Sequence, residues 1–126
     1  MIQEVQTTLT IQDVAARYNE LAQQEKWFEI QDELFADNVR SIEPATAKHL
    51  PNAEGKSAVR KKGEEWVKRV EARHDSYTTP PIIGSNYFVV GRRTDITVQD
   101  LGRIQVSELM MYEVKDGKIV LEQFFY

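Results

Sequence analysis

The chain contains no cysteine among its 126 residues, which removes disulfides, thiol nucleophiles and thiolate metal sites together. Histidine occurs only as His49 and His74, at a spacing that matches no metal motif, so no metal is expected. Four prolines and six glycines are too few and too scattered for a linker or low-complexity segment, and a single domain over 1–126 is expected. No apolar run approaches the ~18 residues that a membrane span needs. The first ten residues lack the basic start and apolar stretch of a signal peptide. Phosphate-loop, nucleophilic-serine and dinucleotide motifs are absent, and no cofactor is expected. Positive charge is in deficit: 16 Lys and Arg stand against 20 Asp and Glu, for a net charge of −4 that repels a nucleic-acid backbone. The one basic cluster, Lys56 to Lys68, is interleaved with Glu64 and Glu65 and reads as a solvated helix face. A cytoplasmic protein with neither nucleic-acid nor membrane partners is the expectation.

What is present is organised around the last quarter. Arg103 to Val114 and Ile119 to Tyr126 read as two strands joined at Lys115-Asp116-Gly117-Lys118. Asp-Gly favours the positive φ that a two-residue hairpin loop requires. On the first strand Ile104, Val106, Met110, Tyr112 and Val114 share one phase of the alternation. Glu108 falls in that same phase, and a carboxylate there is paired, near the end of the face, or functional.

Upstream, Thr10 caps a helix from Ile11, with Asp13 as the acidic member of a capping box. Ile11, Val14, Ala15, Tyr18, Leu21 and Ala22 form its apolar stripe. A second helix starts near Lys26, with Trp27, Phe28, Gln31, Leu34 and Phe35 inward, and Asp37-Asn38 is expected to stop it. Val39 to Glu43 reads as a strand closed by Pro44, and residues 45–54 as a loop. A third helix spans about Lys56 to Val70, facing inward with Val59, Lys62, Gly63, Trp66, Val67 and Val70. Strands follow from Arg73 to Thr79 and from Ile82 or Asn86 to Val98, with Gly84 and Gly91 as expected bulges or bends. Residues 1–9 are expected to fray. Helices first and antiparallel strands after them give an α+β architecture.

The segments Leu34-Phe35-Ala36-Asp37-Asn38, Ile42-Glu43-Pro44, Glu54-Gly55, Asp116-Gly117-Lys118-Ile119-Val120 and Glu122-Gln123-Phe124-Phe125-Tyr126 occur in an order and spacing that carry a resemblance. Together with Tyr18 they resemble the SnoaL-like group of the nuclear transport factor 2-like fold, over about residues 10–126. The resemblance implies three N-terminal helices on a strongly bent, mostly antiparallel sheet, a cone with an inner cavity. The fold hosts isomerases, cyclases, hydrolases, ligand carriers and association modules, so it does not name a function. Ketosteroid isomerases of this fold place a base just before a proline, where Glu43 stands, and an oxyanion tyrosine on the first helix, where Tyr18 is similar. Their second donor acid falls on Met110, and Glu108 is the nearest acid in phase.

These residues define the expected site. Glu43 is the candidate base, with Tyr18 and Glu108 as hydrogen-bond donors to a developing oxyanion. Phe35, Lys62, Trp66, His74, Met110 and Tyr112 are the candidate walls of a pocket for a small apolar molecule. The expected activity is cofactor-free acid–base chemistry of isomerase, cyclase or hydrolase type. The alternative is a non-catalytic binding or association module, in which Glu43 and Glu108 are tied up by Lys62 or an arginine. Strand faces carrying Leu109, Met111 and Phe125 suit a homodimer packed through the sheet.

Overall fold

The computed structural model describes residues 8–126. The expectation of a frayed start falls, as far as residue 7, outside the described residues. The helices are α1 (Ile11–Ala22), α2 (Trp27–Leu34) and α3 (Lys56–Arg69). The strands are β1 (Phe35–Ile42), β2 (Ala53–Glu54), β3 (Val70–Thr78), β4 (Ile82–Gly84), β5 (Tyr87–Val98), β6 (Gly102–Lys115) and β7 (Lys118–Phe125). The sheet order is β2-β1-β7-β6-β5-β3, with β4 paired to β5. Every pairing is antiparallel except β1 with β7, which is parallel. Register shifts in β1, β3 and at Glu113/Val114 bend the sheet around the helices.

Local chemistry explains most boundaries. Thr10 Oγ1 accepts from the Asp13 N–H while Asp13 Oδ2 accepts from the Thr10 N–H, each at 3.1 Å, so the capping box forms as expected. Asp116 and Gly117 both have positive φ, 52° and 74°, between the facing residues Lys115 and Lys118. That is the two-residue turn anticipated from Asp-Gly.

Three expectations need correcting. Asp37-Asn38 does not stop α2: the helix ends at Leu34, Phe35 turns extended at φ −80° and ψ 135°, and Asp37 and Asn38 sit exposed inside β1. They lie where the β1–β7 register shifts, a place that tolerates turn-forming residues. Gly91 is no bulge, because β5 and β6 pair without a shift from Tyr87 to Val98. Its N–H instead donates to Thr79 Oγ1 and its carbonyl accepts from the Thr79 N–H, both at 2.9 Å. Val67 is not inward but 52% exposed, because α3 turns only a narrow face to the sheet and Val59 is its one fully buried residue.

The core fills the concave face of the sheet beneath α1 and α2. Tyr18, Phe88 and Tyr112 lie at its centre, with ring centroids 4.7–5.1 Å apart. The inner phase of β6 changes along its length: Met110, Tyr112 and Val114 are buried, whereas Ile104, Val106 and Glu108 are partly open. The concave face is thus packed shut at one end and looser along β6 at the other, although Ile96 and Val98 of β5 stay buried there.

Candidate functional site

Where the packed end gives way to the open end, polar side chains converge from three elements. Glu43 follows the end of β1, and its N–H donates to Asn52 Oδ1 at 2.7 Å, which holds the strand end to the following loop. Its carboxylate is almost sealed, with only 3% of the side chain exposed. Lys62 reaches it from α3, Nζ to Oε2 at 2.5 Å, and the Tyr126 hydroxyl donates to Oε1, also at 2.5 Å. Lys62 Nζ further donates to Ser41 Oγ at 2.8 Å and lies 5.2 Å from the centre of the Phe124 ring. The Ser41 hydroxyl in turn donates to Glu122 Oε1 at 2.7 Å. Ser41 and Glu122 are partners in the parallel β1–β7 register. A continuous chain results: Tyr126, Glu43, Lys62, Ser41, Glu122.

Glu122 is buried, and burial pushes its carboxyl up to about 7, with Glu43 pushing the same way against the Ser41 hydrogen bond and Lys62. Glu108 stands beside this chain on β6. Burial pushes its carboxyl up to about 7 as well; Arg92 opposes the shift, and Glu43 and Glu122 add to it. Unlike the other two acids, the Glu108 carboxyl takes part in no hydrogen bond or ion pair among the described residues; its neighbours act on it only through space. Its oxygens are not sealed, since no fully buried polar atom lacks a partner among the described residues. Glu43 and Glu122 thus share the field of one lysine ammonium, while Glu108 stands within electrostatic reach of both acids.

The other expected site residues divide into groups. Tyr18 is fully buried and its hydroxyl donates to Tyr112 Oη at 2.8 Å, which in turn contacts Met110 Sδ at 3.9 Å. Burial raises both tyrosines well above the ordinary phenol range. Tyr18, Tyr112, Met110 and Phe35 all belong to the packed end. Trp66 is part-buried on α3, with the Arg69 guanidinium 5.7 Å from its ring centre. His74 is exposed on β3, with Nε2 2.8 Å from Thr97 Oγ1, and does not join the cluster.

Sequence reasoning missed Ser41, Glu122 and Tyr126. Glu122 was findable: it faces Tyr112 in the β6–β7 register and shares its strand phase with Phe124. Two open cavities, about 420 Å³ and about 620 Å³, are bordered mainly by the outer phase of β3, β5 and β6, and the first also touches Arg92 and Glu108. The first is bordered by the exposed Tyr77, Leu109 and Phe125, the second by Asp75, Arg93, Asp95 and Gln105.

Comparison with known proteins gives the lineage. A crystal structure of a candidate SnoaL-like polyketide cyclase from Mesorhizobium loti superposes with a TM-score of 0.87 at 28% identity, covering 94% of this chain and all of that one. A candidate isomerase from Bacillus subtilis gives 0.68 at 18% identity, covering 92% and 88%. A ketosteroid isomerase-like fold from Catenulispora acidiphila, in complex with trimethylamine, gives 0.63 at 12%, covering 77% and 72%. The last two likenesses concern the fold alone. No curated protein matches the sequence. The model of the SnoaL-like domain matches residues 9–126, nearly the whole chain, and the chain belongs to the SnoaL-like family.

Proposed function

We propose that this protein is a small-molecule enzyme that moves a proton on an apolar carbonyl compound without a cofactor, with Glu108 as the proton-transfer group. The observation that carries the reading is the contrast among the three acids. Both oxygens of Glu43 are engaged, by Lys62 and Tyr126, and Glu122 is bonded to Ser41. Glu108 alone is unbonded, and it is only part-buried, at the looser end of the concave face. A general base must reach its substrate, so the role expected for Glu43 passes to Glu108.

With a midpoint of about 7, Glu108 populates both forms at neutral pH. The ionised form takes a proton from the carbon next to a carbonyl; the C–H electron pair moves into an enolate. The acid so formed returns that proton to carbon, at the same or a conjugated position. The donor for the enolate oxygen is the Lys62 ammonium, which keeps one N–H beyond those given to Glu43 and Ser41; the single proton of the Tyr126 hydroxyl is already held by Glu43. Ile104, Val106 and Phe124, part-buried on the same face, supply apolar walls.

The test is deuterium exchange. Apolar enolisable ketones incubated with the protein in D2O are expected to gain deuterium at the α carbon, read by NMR, and Glu108→Gln is expected to slow this at least ~10²-fold. Equal rates in the two proteins would overturn the assignment. The pairing of Glu43 with Lys62 also suits a second reading, a binding module without chemistry; ligand-induced shifts with no exchange would favour it. The proposal includes a homodimer through the sheet, supported by Tyr77, Leu109 and Phe125, each about half exposed along one cavity.

A further inference from the structure

Arg92 and Glu108 face each other directly in the β5–β6 register and both belong to the inner phase. Side chains opposed in this way stand about 4.5–5.5 Å apart at Cβ, and opposite charges there ordinarily pair. These two do not. The Arg92 guanidinium turns the other way, to the junction between α1 and α2. Its Nη1 donates to Glu25 Oε1 at 3.1 Å and to Thr78 Oγ1 at 2.8 Å, and its Nη2 donates to Glu25 Oε2 at 3.0 Å. The Trp27 ring stacks against it, 4.5 Å from guanidinium carbon to ring centre.

Glu25 is itself held in place. It takes a left-handed φ of 58°, accepts from Trp27 Nε1 at 2.6 Å and from Ser76 Oγ at 2.8 Å, and has Arg73 Nη1 at 3.5 Å. Non-glycine residues pay for that backbone conformation, so it persists where the surroundings over-determine it. A bidentate carboxylate fixes a guanidinium in both position and plane.

We propose that Glu25 is a positioning residue: by holding Arg92 against Trp27 and Thr78 it denies Glu108 its cross-strand partner and leaves that carboxyl free to carry a proton. The inference rests on the proton-transfer reading of Glu108. The groups facing Glu108 are Arg92 from β5, Glu122 from β7, Glu43 after β1, Tyr126 at the chain end, and Tyr18 and Tyr112 from the packed core; Lys62 of α3 is paired to Glu43. Of these only Arg92 is a cation without a carboxylate of the inner cluster already bound to it.

The test reads protonation of Glu108 rather than turnover, so it is separable from the functional reading. The intact protein, with 13C at its glutamate carboxyls, is titrated by NMR, and Glu108→Gln assigns the resonance. Glu25→Gln releases Arg92, and the Glu108 midpoint is expected to fall by about one pH unit or more. Because Glu25→Gln also deletes a charge, the same substitution is made on an Arg92→Gln background, where the fall should be largely lost. Glu25→Asp keeps the charge but shortens the reach, and a fall there is expected too, which keeps the test open if Glu25→Gln does not fold. An unchanged midpoint, or an equal fall with and without Arg92, would overturn the proposal. If the midpoint falls as expected while no ketone exchanges deuterium, the positioning role stands and the functional reading fails.

Discussion

Lys62 and Glu43 form a buried ion pair, with side chains 9% and 3% exposed. Breaking such a pair by removing one partner strands the other charge and typically costs about 3–5 kcal/mol. Lys62→Met is therefore expected to lower unfolding stability by that order, measured in urea, and Lys62→Met with Glu43→Leu to regain most of it. A double variant no more stable than the single one would contradict this account of the pair. Glu122 gives a pH signature. Its folded midpoint of about 7 lies above the ordinary 4.5, so the folded state holds more protons than the unfolded chain between these values. Stability from this group is therefore lost as pH rises from about 4.5 to about 7. Glu25 works in the opposite direction: Arg92, Trp27 and Ser76 hold its carboxyl below 4.5 against burial, and its contribution is lost as pH falls below 4.5. Glu122→Gln is expected to flatten the decline above pH 5 and to leave the protein more stable than wild type at pH 8. An unaltered slope in denaturation series at pH 5, 6.5 and 8 would contradict it. At this scale the sequence was informative where an acid broke an apolar alternation, as at Glu108, or preceded a proline, as at Glu43. It was silent on Glu25, which sits in a non-periodic turn and whose cationic partners, Arg73 and Arg92, lie far along the chain on β3 and β5.

At the scale of elements, the β6–β7 hairpin is the part most fully written in the local sequence. Gly117 has φ 74°, and a Cβ added to it would meet Thr8 Cγ2 at 2.8 Å and the Leu9 backbone at 3.1 Å. Gly117→Ala is expected to lower stability by at least about 1–2 kcal/mol from the left-handed backbone alone. A melting temperature equal to wild type would show that the turn rearranges freely. The α2–β1 junction was not legible in the same way. Asp37 and Asn38 carry turn chemistry, yet they are strand residues: they occupy the shifted, exposed stretch between Phe35 and Arg40, the two residues at which β1 is held to β7 on either side of them. The parallel β1–β7 contact itself, which brings Ser41 beside Glu122, joins the first long strand to the last and leaves no trace in either segment. Gly63, in the middle of α3, did mark a close approach: a Cβ there would stand 3.0 Å from Phe28 Cε1.

At the scale of the whole molecule, the order of helices and strands and the spacing of weak motifs were enough to place the chain among SnoaL-like folds. They did not reveal which end of the concave face is filled, because that depends on Tyr18, Phe88 and Tyr112 meeting from three distant elements. The outer side of the sheet carries Leu109 and Phe125, paired in register and about half exposed. A charge placed there should oppose self-association while sparing the inner cluster. Leu109→Glu is expected to convert a dimer to a monomer in sedimentation; a monomeric wild type would contradict the proposed assembly. One carboxyl group, surrounded but not bonded, carries the proposed chemistry. The most direct measurement is the protonation midpoint of Glu108 in the wild-type protein, followed by carboxyl NMR against the Glu108→Gln reference. A midpoint near 7 is predicted. A midpoint at or below the ordinary 4.5 would mean that the carboxylate is solvated or paired at neutral pH, and would contradict its assignment as the proton-transfer group.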